Sequence, residues 1–185
     1  EFHKVLERFI ARDVDVVHVR ALESQRRGDF QTARMQLVDA ALADPTNPRI
    51  PADLAKLLMS QSEYRPAYDL LKALPIALRE DAEISRLFTH LDFILAAQDA
   101  PPLAELTQRI ATNPDDLEAR YQLAAVQLVS DELENAMAQL LEIAQRGRSF
   151  RDDIGRRGLV ALFDMLGTNH ALTARFRPLL VSALN

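Results

Sequence analysis

Cysteine and tryptophan are absent from this chain of 185 residues, and glycine occurs five times. Without cysteine there is no disulfide, no thiol nucleophile and no cysteine-ligated zinc, and a reducing, cytoplasmic setting is the expectation. Histidine is also scarce. His3, His18, His90 and His170 fall in separate segments, and the chain has no HExxH pair, phosphate-cradling glycine loop or nucleophile elbow. No catalytic residue, cofactor or metal is therefore expected. The carboxylate pairs Asp115–Asp116 and Asp152–Asp153 read as first-turn residues of helices, where the macrodipole favours negative charge, in preference to a general acid and base. No apolar run approaches the ~18 residues of a membrane span, and no stretch has the zones of a signal peptide. The chain opens Glu1-Phe2 without methionine, as expected of a piece of a longer protein.

What is present is hydrophobic and helix-forming. Hydrophobic residues make up 48% of the chain, enough for a sizeable core, and alanine and leucine dominate them. The net charge of −5 makes no general case for nucleic acid. It is unevenly spread. From Gln145 onward seven arginines stand against three aspartates, which leaves −9 on the first 144 residues and +4 on the remainder.

The stretch from Asn113 to Ala144, NPDDLEARYQLAAVQLVSDELENAMAQLLEIA, organises the rest. It has Leu123 and Ala124 in a first helix, Leu133 after a turn, then Ala136, Leu140 and Ile143 in a second. Small residues at Ala124 and Ala136 allow two helices to cross at short range, and Leu140 and Ile143 share one face. On these residues the stretch resembles a tetratricopeptide repeat, an antiparallel helix pair of about 34 residues. One such pair cannot bury its apolar faces alone, so more are expected. Gly28-Asp29-Phe30 at a turn, with Ala33, Leu37 and Ala40 after it, marks a repeat over 14–47. Ala55, Leu58, Tyr64, Ala67, Leu71 and Leu74 mark another over 48–80, with Ser62 in place of the turn glycine. A degenerate third, 81–114, has a first helix from about Asp81 to Gln98 that is apolar on more than one face. The fourth spans 115–148. Before them, 1–13 reads as a short amphipathic helix with Phe2, Val5, Leu6, Phe9 and Ile10 at helical spacing. After them, 149–185 reads as a terminal helix pair, Arg151 to Leu166 and Thr168 to Leu184, stopped between by Gly167 and suited to cap an array. The expected fold is all-α: a solenoid of about eleven antiparallel helices, right-handed by the repeat resemblance, with a C-terminal capping pair.

In a repeat of this kind the first helices line a concave face. By motif position that face carries Leu22, Met59, Leu87, Leu91, Ile94, Leu95, Tyr121, Leu128 and Val129, together with His18, Ala52, Lys56 and Ala125. A strip this apolar could take unfolded segments or an amphipathic helix; alternatively the terminal helices or a neighbouring copy fill it. The lysine and asparagine constellation by which some repeats clamp a C-terminal carboxylate is missing. The tail arginines Arg146, Arg148, Arg151, Arg156, Arg157, Arg175 and Arg177 read as a solvated cap face rather than a docking patch. With no aromatic residues interleaved, they do not point to nucleic acid.

With the tail included, a narrower resemblance emerges. The runs NPDDLEARYQLAAVQLVSDELENAMAQLLEIAQR, RDDIGRRGLVALFDMLG and ALTARFRPLLVSAL are similar to the C-terminal half of bacterial co-chaperedoxins of the CnoX/YbbN type, which join a thioredoxin fold to a repeat domain. The resemblance covers Val14 to Asn185 and is most specific after Asn113. It makes 1–13 the end of a thioredoxin domain, or a linker, that this chain otherwise lacks. It implies a holdase that binds unfolded client proteins and hands them to a GroEL-type chaperonin or to the DnaK system, with no membrane or nucleic-acid partner. It also implies chaperonin docking by the last helix, for which Arg175, Arg177, Leu180 and Leu184 are the candidates by position. A scaffold gripping one defined partner helix, or a substrate-orienting domain of a thioredoxin-family oxidoreductase, are the alternatives.

Overall fold

A computed structural model describes residues 16–184. All regular structure among these residues is helical. Helix α1 covers 16–26, followed by α2 (Phe30–Ala43), α3 (Arg49–Ser60), α4 (Tyr64–Lys72), α5 (Ile76–Arg79), α6 (Ala82–Gln98), α7 (Leu103–Thr112), α8 (Leu117–Val129), α9 (Leu133–Arg146), α10 (Ile154–Leu166) and α11 (Ala171–Leu184). The helix expected at Phe2–Ala11 lies outside the described residues. The chain divides within α6 into two compact units, Glu1–Phe88 and Thr89–Asn185.

The repeat is visible as one turn made three times. Gly28, Ser62 and Asp131 each follow the first helix of a pair with a left-handed φ of 80°, 61° and 61°. In each case the next amide reaches back five residues: Asp29 N–H to the Ser24 carbonyl at 2.9 Å, Glu63 to Leu58 at 2.9 Å and Glu132 to Gln127 at 2.8 Å. This is the Schellman closure, which satisfies carbonyls left open at a helix C-terminus. Only Gly28 adopts it without a Cβ penalty. Ser62→Gly and Asp131→Gly should each stabilise their unit by about 0.5–1 kcal/mol, read as a rise in the urea midpoint. A fall at both sites would mean that these side chains support the turn more than they strain it.

Counted from that turn, Ala33, Ala67 and Ala136 occupy one position and Leu37, Leu71 and Leu140 another, and all six are fully buried. The small residue admits the neighbouring helix and the leucine fills the layer behind it. Between pairs, Asp44 and Asn113 end α2 and α7 with similar dihedrals. Their side-chain oxygens accept from the amides two residues on, Thr46 at 3.3 Å and Asp115 at 3.2 Å. Asp29 and Asp116 then cap α2 and α8, accepting from Thr32 and Ala119 N–H at 3.1 and 2.9 Å. The Ala119 amide, and after it the Arg109 guanidinium, hold the Asp116 carboxyl below the ordinary aspartate range.

Each unit has its own core. In the first unit α2 and α3 close over Ala21, Ala33, Leu37, Ala40, Ile50, Leu54 and Leu57. In the second, α9 packs against α8, α10 and α11 around Phe93, Tyr121, Met137, Leu140, Ile143, Leu159, Phe163, Phe176 and Leu180. A smaller cluster of Leu106, Ala119 and Leu123 joins α7 to α8.

Three features differ from the sequence expectation. First, α5 is an additional one-turn helix opened by Pro75. Second, α10 begins at Ile154 rather than Arg151, because Arg151, Asp152 and Asp153 take left-handed φ values of 46°, 54° and 62°. Asp115–Asp116 and Asp152–Asp153 accordingly precede their helices instead of sitting in the first turns. Third, α11 begins at Ala171, three residues after the expected Thr168. Left-handed backbone costs a non-glycine residue about 1–2 kcal/mol. The Arg151 side chain offsets part of that cost. It donates twice to Glu118, at 3.1 and 3.0 Å, and lies over the Tyr121 ring at 4.7 Å.

Candidate functional site

In the first unit the residues expected on the inner strip, Leu22, Met59 and Leu87, are half-buried. Beside them runs a charged chain that joins three first helices. His18 of α1 contacts Asp53 of α3, Lys56 of α3 bonds Asp53 at 3.0 Å, and Lys56 also pairs with Glu83 of α6. Burial works against the Lys56 charge, but Glu83 and Asp53 outweigh it and hold the ammonium above its ordinary pKa. The strip is therefore less apolar here than motif position suggested.

In the second unit Leu91, Leu95 and Tyr121 are core side chains, 0%, 7% and 2% exposed. These three side chains therefore offer no open surface to a partner in this unit. The α6 sequence is apolar on more than one face, and the additional face is consumed by burial. The Tyr121 hydroxyl donates to the Asp92 carbonyl at 2.9 Å, and its ring lies 5.4 Å from Phe93 and 6.3 Å from Phe150. Ile94 and Leu128 are half-buried, and Val129 is open to solvent at 67%.

Six of the seven tail arginines find acidic or backbone partners. Arg146 bonds Glu142 at 2.7 Å and Asp115 at 2.6 Å, Arg151 takes Glu118, Arg156 pairs with Asp153, Arg157 lies 3.6 Å from Asp92, and Arg175 pairs with Glu134. Arg148 donates to the Ala183 carbonyl at 2.9 Å, and Arg177 lies over the Phe163 ring at 5.4 Å. The positive tail thus answers negative charge on its own unit. Among the docking candidates, Arg175 and Arg177 are exposed and Leu184 is half-buried against the core. Leu180 is corrected to a core residue, because Thr173, Phe176 and Leu180 form the inward stripe. The apolar side chains that α11 turns outward are Leu179 and Val181.

One apolar surface was missed by the sequence reading. On α2, Phe30, Met35, Val38 and Leu42 are exposed, Met35 at 55% and Leu42 at 78%. Phe30, Met35 and Val38, with Arg34, Asp39, Gln61 and Glu63, line an open cavity of about 650 Å³. Its signal was available in the repeat register. Met35 and Val38 stand where the second repeat has Asp69 and Lys72, so this outer face is apolar where its counterpart is charged.

No group of three or more His, Asp or Glu side chains among the described residues is placed to hold a metal ion. Desolvation pushes the His90 imidazole down from its ordinary pKa. Nor is any helix among the described residues long and apolar enough to cross a membrane.

Two family models, both described as tetratricopeptide repeat, match the chain, one over residues 25–91 and the other over 96–185. No curated protein matches it. Among solved structures it is similar to a domain of protein VP0806, of unknown function, from Vibrio parahaemolyticus. That likeness has 21% identity and a TM-score of 0.39, covering 92% of this chain and 99% of the other.

Proposed function

We propose that this all-helical tetratricopeptide-repeat chain is the protein-binding part of a co-chaperone of the holdase type, which keeps unfolded clients from aggregating and docks on a GroEL-type chaperonin. Repeats of this family are in general non-catalytic protein-interaction modules. The observation that carries the reading is the set of large apolar side chains left exposed on one second helix and on the tail: Met35, Val38 and Leu42 on α2, Leu179 and Val181 on α11. Exposed apolar surface of this kind marks protein-binding faces. The dock on α11 would use Arg177, Leu179 and Val181, with Arg175 at its edge. Inclusion of the DnaK system as a second acceptor follows from the family resemblance alone.

The test is aggregation of a chemically denatured enzyme, followed by light scattering without ATP. Suppression at near-stoichiometric ratio is expected. No effect at large excess removes client binding from this chain. The alternative of a scaffold for one defined partner is favoured by a single observation, the open cavity along α2. It predicts a saturable complex with one protein and little effect on scattering.

A further inference from the structure

Three residues of the wrong hand stand directly before α10. Arg151, Asp152 and Asp153 take φ values of 46°, 54° and 62°. Aspartate enters the left-handed region as a single residue; arginine rarely does, and three such residues in series make almost a full left-handed turn. Backbone of this kind persists only where its surroundings hold it. The helix start it leaves is also poorly capped. Asp153 stands at the N-cap, but its carboxylate accepts from no amide of α10. One oxygen pairs with Arg156, and the other is buried without a hydrogen-bond partner among the described residues. The sequence offers a better start one turn earlier. Ser149-Phe150-Arg151-Asp152 has the Ser-x-x-Asp pattern of a helix N-terminus. It would put both aspartates in the first turn, where the macrodipole favours negative charge.

What opposes that earlier start is the Arg151 side chain. It donates through Nε and Nη2 to the two Glu118 carboxylate oxygens, at 3.1 and 3.0 Å. Its guanidinium lies 4.7 Å from the centre of the Tyr121 ring and 5.8 Å from that of Phe150. Glu118 and Tyr121 belong to α8, and Tyr121 is part of the core of this unit. On the other side, α10 lies too close to the α9 backbone to admit a Cβ at Gly155. The segment is thus held at both ends, and 151–153 is the part between that can change hand. We infer that Arg151 is a latch. Held by Glu118 and Tyr121, it keeps 151–153 left-handed. Released, these residues rewind into α10, which gains about one turn capped by Ser149, and Arg151 leaves the Tyr121 ring. The fold thereby carries a helix start with two states, one covering Tyr121 and one uncovering it.

The test uses the whole chain and Glu118→Gln, which keeps the size of the side chain and removes its charge from the latch. The three-bond HN–Hα couplings of residues 151–153 report the hand of φ. In the wild type they should be left-handed, and in Glu118→Gln they should shift to the values of a right-handed helix. Arg151→Ala removes the latch from the other side and should give the same shift. A glycine at position 152 reads the change independently. In the wild type Asp152→Gly should raise the urea midpoint, because glycine takes a positive φ without penalty. In the Glu118→Gln background it should lower the midpoint, because the glycine then lies inside a helix. Left-handed couplings kept in both latch variants would overturn the inference, as would right-handed couplings in the wild type. An effect of Asp152→Gly with the same sign in both backgrounds would also overturn it. So would loss of amide protection throughout α8 to α10 in both latch variants, which would make the Arg151 contacts a support of the core and not a switch.

Discussion

Gly155→Ala should destabilise the second unit by about 1–3 kcal/mol, the range of an overpacked core. Local propensity predicts the opposite sign, because alanine is better than glycine inside a helix by about 1 kcal/mol. Tertiary geometry decides. A Cβ on Gly155 would sit 2.7 Å from the Ala144 nitrogen and 2.8 Å from the Leu140 carbonyl oxygen. Both atoms are backbone of α9, so no rotamer change relieves the contact, and α10 must move off α9 or tilt. Gly158, one turn on, adds to the constraint, since its Cβ would meet Phe93 at 2.9 Å and Leu140 at 3.1 Å. Gly147→Ala is the control. Its nearest clash is the Leu117 Cδ1 atom at 2.3 Å, the end of a side chain that can turn away, and the loss there should be well under half as large. Hydrogen exchange on amides of α9 and α10 reads this unit alone. Unchanged or greater protection in Gly155→Ala would mean that the helices do not cross at backbone contact.

That contact was not read from the sequence, although both glycines are in plain view. A glycine pair inside an apolar helix can mark close packing or simply a weak helix. The partner decides, and Leu140 and Ala144 lie in another element. The repeats themselves were legible because their signals are local. The alanine and leucine positions recur after each turn, and Gly28 and Ser62 mark it in the first two repeats. The tail was harder for the same reason that Gly155 was. In α11, Leu179 and Leu180 differ by one residue and about 100° around the helix, and only the position of α9 sends Leu180 inward and Leu179 out. The charge contrast between array and tail was legible as a sum. Its meaning was not, since Asp115, Glu118 and Glu134 lie 31, 33 and 41 residues before the arginines they bind. The depth of Leu91, Leu95 and Tyr121 was not legible, because motif position alone does not fix exposure. A helix apolar on several faces, as α6 is, buries more side chains than the motif allots.

A chain ending at Gly167 should lose the cooperative fold of its second unit, not merely a peripheral helix. The deletion removes Phe176 and Leu180 from the core, along with Thr173, and uncovers Met137, Leu140 and Phe163. Burial of each large apolar side chain is worth about 1.5–3 kcal/mol, so losing two approaches the lower end of the ~5–15 kcal/mol that holds an ordinary domain together. The truncated chain should show weak protection of α8 and α9 amides and bind a dye that reports exposed apolar surface. This bears directly on the docking proposal. A chaperonin captures unfolded chains, so the truncated protein could gain chaperonin binding while having lost the dock. Substitution of the outward residues separates the two effects. Arg177→Glu with Leu179→Glu and Val181→Glu alters only exposed positions and leaves the inward stripe of Thr173, Phe176 and Leu180 in place. The triple variant should keep native amide protection and lose chaperonin retention. If it keeps both, α11 is a structural cap and the chaperonin contact lies on another element. If the truncated chain keeps native protection in α8 and α9, the core assignment of Phe176 and Leu180 is wrong, and the last helix is free to act as a dock in its own right.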